Sequence, residues 1–352
     1  MALKISSKRK GTSKPVAVAG GGSFGTTVAN LLAENSKVLL YVRNPEKARK
    51  MAGSRSMEDY ELHDRVEVVN DLEKIATACD VIFPVVPAEN FRKLMVSLSP
   101  YLKPYHILIH CTKGLDLYRP GSDSWKLSRE HVKTMSEVII EESSVVRVGC
   151  MAGPNLAKEL AMKLPAATVI ASHFDEVIDI GQQLLRNDRF LVYGSKDLIG
   201  VELCGILKNI LAIGAGMLEG RGFGENARSL LISRGMVEMI HIGKALGGNV
   251  NAFLGLAGVG DLIATCSSPL SRNFSVGYRL GKGEKIKDIV ASMDEVAEGL
   301  HTIDIIHELV RSYKLRTPIT ESIYDIINGR KSVSEVVIFF MRFPFTEEID
   351  FI

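Results

Sequence analysis

The sequence predicts an α/β domain built on a parallel sheet, followed by an all-α domain. Three observations carry this. Short apolar runs alternate with helical patterns up to about residue 195, as strands joined by crossover helices do. Beyond that point every favoured element is a helix. At 352 residues the chain also exceeds what one hydrophobic core ordinarily fills, so two folding units are expected. The expected division is a mobile basic tail over 1–14, a sheet domain over 15–195 and a helical domain over 196–352.

The first strand is 16–19, which runs into a glycine cluster and then a helical pattern over 27–35. A second strand is expected at 38–42, then polar helical sequence, then strands at 81–86 and 107–109. Residues 116–128, with Arg119-Pro120-Gly121-Ser122, form an excursion before the next helix. Further strands are expected at 145–148, 167–171 and 190–192. Helices are expected at 197–218, 224–246, 287–292, 302–313 and 319–327. No repeat of 20 to 50 residues and no low-complexity segment is apparent.

Composition narrows the function. The chain is 46% apolar and 24% charged, with formal net charge +2. Five of its 43 basic residues lie in the first fourteen positions, so the remaining body sums to −3. That balance argues against a nucleic-acid platform. Five widely spaced cysteines (79, 111, 150, 204, 266) without a C-x-x-C pair fit a reduced, cytoplasmic protein. The basic start leads into Gly11-Thr12-Ser13-Lys14 rather than an apolar run, so no secretory signal is expected. The most apolar stretch, 202–218, is interrupted by Lys208 and Asn209 and is short for a membrane span. The eight histidines show no metal-ligand spacing, so no metal is expected.

Gly20-Gly21-Gly22-Ser23-Phe24-Gly25 satisfies G-x-G-x-x-G between a strand and a helix. Gly20 permits the tight turn, Gly22 a close approach to pyrophosphate, and Gly25 close packing of helix on strand. The sheet domain is therefore expected to be Rossmann-like and to bind a dinucleotide. The second strand ends in Tyr41-Val42-Arg43-Asn44, with an arginine where an NAD site usually has a carboxylate. NADP(H) should then be accepted, unless Arg43 is an ordinary solvated residue.

Lys208 stands inside an almost wholly apolar helix, where an unpaired ammonium is costly. It is either a general acid and base or half of a structural ion pair. The run Gly255 to Asp261 offers Asp261 as its partner. Ser271-Arg272-Asn273 suits a phosphate monoester, with a capped helix start as the plain alternative. Lys113 lies just past a strand's carboxyl end, the edge where α/β sheets bind ligands. Cys266, with no histidine nearby in sequence, reads as a buried small residue.

Taken together, these residues resemble the cytosolic NAD(P)-dependent glycerol-3-phosphate dehydrogenases, most closely the bacterial type. The resemblance covers about residues 15–340. It rests on the glycine turn, Cys111 to Leu115, Ala152 to Glu159, Glu202 to Gly214, Asn226-Ala227-Arg228, Gly255 to Asp261, and Leu270 to Asn273. It implies reversible hydride transfer between NAD(P)H and dihydroxyacetone phosphate, giving sn-glycerol 3-phosphate for glycerophospholipid synthesis. It also implies Lys208 as proton donor and acceptor, with Lys113 and Asp261 polarising substrate oxygens. Ser271, Arg272 and Asn273 would bind the substrate phosphate, and Gly153 and Asn155 would line the cleft. Ser23, Phe24, Arg43, Lys113, Ala157, Arg272 and Glu298 match cofactor positions. The helical domain would carry the substrate chemistry and the contacts of a homodimer, with no membrane span and no nucleic-acid partner.

Three features depart from the family pattern: the length of the 116–128 excursion, Phe24 in place of an indole, and Val85 to Glu89 after the fourth strand. Two other readings stay open on the residues alone. One is a ketopantoate-type or other hydroxyacid reductase, because an arginine also binds carboxylates. The other is a non-catalytic NADP(H) sensor, which leaves Lys208 and Asp261 without a purpose.

Overall fold

The structure, a computed structural model, describes residues 14–117, 127–293 and 297–342. Of the expected tail only Lys14 is among these, its ammonium 2.9 Å from Asp80. Residues 118–126 of the excursion likewise lie outside the described residues.

The described strands are β1 (Val16–Ala19), β2 (Val38–Tyr41), β3 (Ser56–Met57), β4 (Tyr60–Glu61), β5 (Val66–Val69), β6 (Val81–Pro84), β7 (Ile107–His110), β8 (Asp116–Leu117), β9 (Val132–Lys133), β10 (Arg147–Ala152), β11 (Ala166–Ser172) and β12 (Phe190–Ser195). Eight of them form one sheet in the order β12-β11-β10-β7-β6-β1-β2-β5. Its central strands are apolar on both faces because both faces are covered. Helices α1 (Ser23–Ala33), α2 (Pro45–Ser54), α3 (Leu72–Ala78), α4 (Ala88–Leu98), α5 (Met135–Glu142), α6 (Ala157–Ala161) and α7 (Asp175–Leu185) flank it. One apolar core lies under α1 and α7, and a second lies under α3, α4 and α5.

From residue 196 every regular element among the described residues is a helix. These are α8 (Leu198–Arg221), α9 (Gly224–Ala245), α10 (Val250–Leu254), α11 (Asp261–Ser267), α12 (Arg272–Gly281), α13 (Ile286–Ala291), α14 (Glu298–Ser312), α15 (Pro318–Ile327) and α16 (Val333–Arg342), with a π-helical turn at Leu256–Gly260 leading into α11. Helix α8 is apolar all round because the others enclose it. It is long and apolar enough to cross a membrane, but 94% of that stretch is buried inside the protein. Asp197 caps it by accepting from Gly200 N at 2.9 Å.

Helices α8 and α12 approach until their backbones touch. A Cβ at Gly216 would lie 2.0 Å from Phe274 O, and one at Gly277 would lie 1.9 Å from Ile213 O.

The structure differs from the sequence reading in a few elements. Strand β11 runs antiparallel to β10. The connection over 153–165, which opens at Gly153 with φ +148° and includes α6, returns the chain beside β10 in the opposite direction. Edge strand β5, with only four residues and an exposed Glu67, lies inside what read as polar helical sequence. Helices α10, α11 and α16 were not expected, and α12 begins at the capped start that was the plain alternative for Ser271-Arg272-Asn273.

Candidate active site

The glycine turn closes β1 onto α1. At φ +143° Gly20 occupies a backbone region that side chains avoid, and a Cβ there would strike Val85 O at 2.0 Å. A Cβ at Gly25 would lie 1.9 Å from Gly20 O, so only glycine lets α1 sit this close to the strand. Gly22 faces open space instead, with nothing within 4 Å of where its Cβ would be. That space lies at the N-terminus of α1, where unpaired N–H groups and the helix dipole favour an anion. The turn therefore fits a dinucleotide's pyrophosphate. Ser23 and Phe24, both half-buried, open the helix, and Arg43 stands exposed past the end of β2. The Asn70 amide holds that turn by donating to the carbonyls of Val42 and Arg43.

The second part of the site is built around Asp261, the first residue of α11. Its Oδ1 lies 2.9 Å from Lys208 Nζ, and its Oδ2 lies 2.6 Å from Lys113 Nζ. Lys113 also donates to Gly153 O at 3.0 Å. Lys208 donates to the Thr265 hydroxyl, which in turn donates to Asp261 O at 2.6 Å. Lys208 and Asp261 are 5% and 2% exposed. Burial pushes Lys208 down to about 8, and the Lys113 charge adds to this while Asp261 opposes it. Burial pushes Asp261 up, but the two lysines outweigh it and hold the carboxyl below its ordinary value.

The two parts are continuous. A Cβ at Gly114 would meet Ala88 Cβ at 2.4 Å, and Ala88 N lies 3.4 Å from Glu298 Oε1 at the start of α14. Burial pushes Glu298 up to about 7, and the Arg272 charge is the main opposing influence. Arg272 is exposed at the first turn of α12. Asn273 is buried beside it, its Oδ1 accepting from Gly299 N at 2.9 Å.

Ser271 caps α12 by accepting from Phe274 N at 3.3 Å. Asn155 bonds Ala167 O at 3.1 Å and the Thr168 hydroxyl at 2.8 Å, so its amide fastens β11 to the loop before α6, where Ala157 is the first residue. Gly153, Lys113, Asp261 and Lys208 thus meet directly, while Arg43 and Ala157 stand apart from them. Sequence reasoning gave Thr265 no role, although it lies one helical turn from Asp261 on the same face. Burial pushes the Cys266 thiol up to about 12, which leaves it inert. Among the described residues no group of three or more His, Cys, Asp or Glu side chains is placed to hold a metal.

An anion cradle on the sheet, with a buried carboxylate between two lysines where sheet and helical body meet, fits an NAD(P)-dependent dehydrogenase. The comparisons with known proteins narrow the class. Models of the N-terminus and C-terminus of NAD-dependent glycerol-3-phosphate dehydrogenase match residues 15–178 and 197–338. The chain belongs to that family.

It is 40% identical over 344 residues to glycerol-3-phosphate dehydrogenase (NAD(P)+) of Pseudomonas putida, covering 96% of this chain and 97% of that one. Its identity to the Pseudomonas fluorescens protein of the same name is 39%, with the same coverage. The crystal structure of glycerol-3-phosphate dehydrogenase from Coxiella burnetii is similar at TM-score 0.83 and 31% identity, over 94% of this chain and 99% of that one. A ketopantoate reductase from Ralstonia eutropha shares the fold at TM-score 0.55 and 14% identity, over 92% of this chain and 99% of that one.

Proposed function

We propose that this chain catalyses reversible hydride transfer between NAD(P)H and dihydroxyacetone phosphate, giving sn-glycerol 3-phosphate. One observation carries the reading: a buried lysine, tuned toward neutrality and held by Asp261, at the edge of a sheet that begins with an anion cradle. The bound nicotinamide supplies or accepts the hydride.

Gly20, Gly22, Gly25 and Ser23 hold the pyrophosphate end, and Arg43 meets a 2′-phosphate when one is present. Phe24, Lys113, Ala157, Glu298 and Arg272 would complete the cofactor contacts. In reduction Lys208 gives a proton to the former carbonyl oxygen as charge develops there, and in oxidation it takes that proton back. Asp261 keeps Lys208 oriented, and Lys113 places a second positive charge beside the same oxygens. Arg272, Asn273 and Ser271 bind the substrate phosphate, a non-reacting group whose binding fixes the reacting carbon. With Oδ1 of Asn273 engaged by Gly299, its amide nitrogen is the donor that remains for phosphate. Gly153 and Asn155 form the cleft wall.

The decisive experiment follows nicotinamide absorbance with purified protein, adding dihydroxyacetone phosphate in one cuvette and unphosphorylated dihydroxyacetone in another. Oxidation of NADPH with the phosphorylated ketone only is the expected result. Turnover of 2-keto acids instead would favour the hydroxyacid reductase reading.

The product is the backbone of glycerophospholipids, and the reading places this enzyme in the cytoplasm, supplying that synthesis. A homodimer through the helical part accords with the exposed Leu230, Leu254 and Ile263 there, and light scattering on the purified protein tests it.

A further inference from the structure

Behind the lysines lies a second buried cluster that the chemistry above does not use. Glu202 sits on α8 six residues before Lys208, and His110 ends β7 three residues before Lys113. His110 Nε2 lies 2.9 Å from Glu202 Oε1. The same Oε1 accepts from Ser136 N at 2.9 Å, and Oε2 accepts from the Ser136 hydroxyl at 2.6 Å. Neither His110 ring nitrogen has an aligned hydrogen bond among the described residues, so Nε2 meets Glu202 Oε1 by close approach alone, and the ring stands edge-on to Phe91. Burial pushes the Glu202 carboxyl up, but His110 and Ser136 outweigh it and hold it below its ordinary value.

An arrangement of this kind is poor value for stability alone, since a buried carboxylate and its polar partner are often matched or bettered by apolar residues of similar volume. Its position offers a different reason. Between Glu202 and Lys208 on α8 lies Gly205, where an added Cβ would stand 3.3 Å from Lys113 Cγ and 3.4 Å from its Cδ. The stem of Lys113 therefore lies across α8. The segment 110–113 is fastened to that helix at two successive turns, by the His110–Glu202 contact and by the lysine stem, before both ammonium groups converge on Asp261.

We propose that Glu202 and His110 are positioning residues for the reaction, forming a strut that fixes the axial register of α8 against the segment bearing Lys113 and so sets the placement of the two lysines. The proposal rests on the roles given above to Lys208 and Lys113.

The test compares full-length wild type with Glu202→Gln, Glu202→Ala, His110→Gln and the double variant Glu202→Ala/His110→Ala. It measures kcat and KM for dihydroxyacetone phosphate, NADPH affinity and Tm. A misplacement of about an ångström costs up to about 100-fold in rate, so kcat should fall about 10- to 100-fold in Glu202→Ala. NADPH affinity should stay within about twofold. The double variant should be little worse than Glu202→Ala, since the two act as one unit. Glu202→Gln keeps an acceptor for Ser136 and should recover part of the loss.

NADPH deuterated at C4 gives an independent readout, because slowed hydride transfer enlarges the isotope effect on kcat. A merely structural pair would lower Tm while leaving kcat and the isotope effect at wild-type values, and that result overturns the proposal. If Glu202→Ala or the double variant does not fold, wild-type kcat in both Glu202→Gln and His110→Gln overturns it equally. Wild-type protein inert toward dihydroxyacetone phosphate would instead overturn the functional reading, and the strut's role in this reaction with it.

Discussion

Lys208 is poised by opposing influences. Burial lowers its proton affinity to about 8, while Asp261 keeps it from falling further. With Lys208 as the proposed proton donor, reduction needs the ammonium form, so kcat/KM for ketone reduction should be level below about pH 8 and decline above it. Oxidation needs the neutral amine and should rise through the same range; profiles of the two directions check the sign, because a shared limb would exclude one group serving both. Lys208→Ala should lower kcat by about 10²- to 10⁴-fold, the span of general acid catalysis, with NADPH affinity nearly unchanged by fluorescence titration. Arg43 stands apart from this chemistry, exposed past β2. Arg43→Ala should raise KM for NADPH about tenfold or more, the worth of a charge-assisted hydrogen bond, and leave KM for NADH almost unaltered.

At the scale of elements, the contact between α8 and α12 joins the helix bearing Lys208 to the helix that opens with Arg272 and Asn273. Gly216 and Gly220 on one helix face Gly277 and Gly281 on the other, each with a main-chain atom of the partner helix within 2.4 Å of a would-be Cβ. Flexible side chains can yield to an added methyl group, but backbone cannot. Gly277→Ala should therefore destabilise the protein by about 1–3 kcal/mol or more, read as a lower denaturant midpoint, and raise KM for the phosphorylated ketone. This contact was hard to read from sequence, since glycines inside a helix advertise weakness rather than proximity. Strands β1, β2, β6 and β7 were legible because apolar residues cover both faces and leave an unbroken run. Strand β5 was not, because four residues with one exposed acid make too short a pattern. The antiparallel course of β11 is reached through the 153–165 connection, and strand direction is a feature that no side-chain periodicity records. Lys208 and Asp261 were legible as charges amid apolar sequence, whereas Thr265 was ordinary until the fold placed it against them.

For the molecule as a whole, sheet and helical body meet through polar groups as well as apolar ones: Lys113 with Asp261, Ala88 with Glu298, and His110 with Glu202. The Lys113–Asp261–Lys208 group has an asymmetry that reaches beyond catalysis. Two cations share a single anion, so with both lysines protonated these three side chains sum to a positive charge where sheet and helical body meet. A phosphate ester supplies the missing negative charge to the folded form and finds no such site on the unfolded chain. Ligand and fold are then thermodynamically linked, and Tm should climb with the logarithm of ester concentration once binding saturates. Thermal unfolding with glycerol 3-phosphate, and with glycerol as the uncharged control, measures this. The rise should shrink as salt is added, since screening ions relieve part of the same repulsion. A substrate of this enzyme is in that sense also a counterion of its fold.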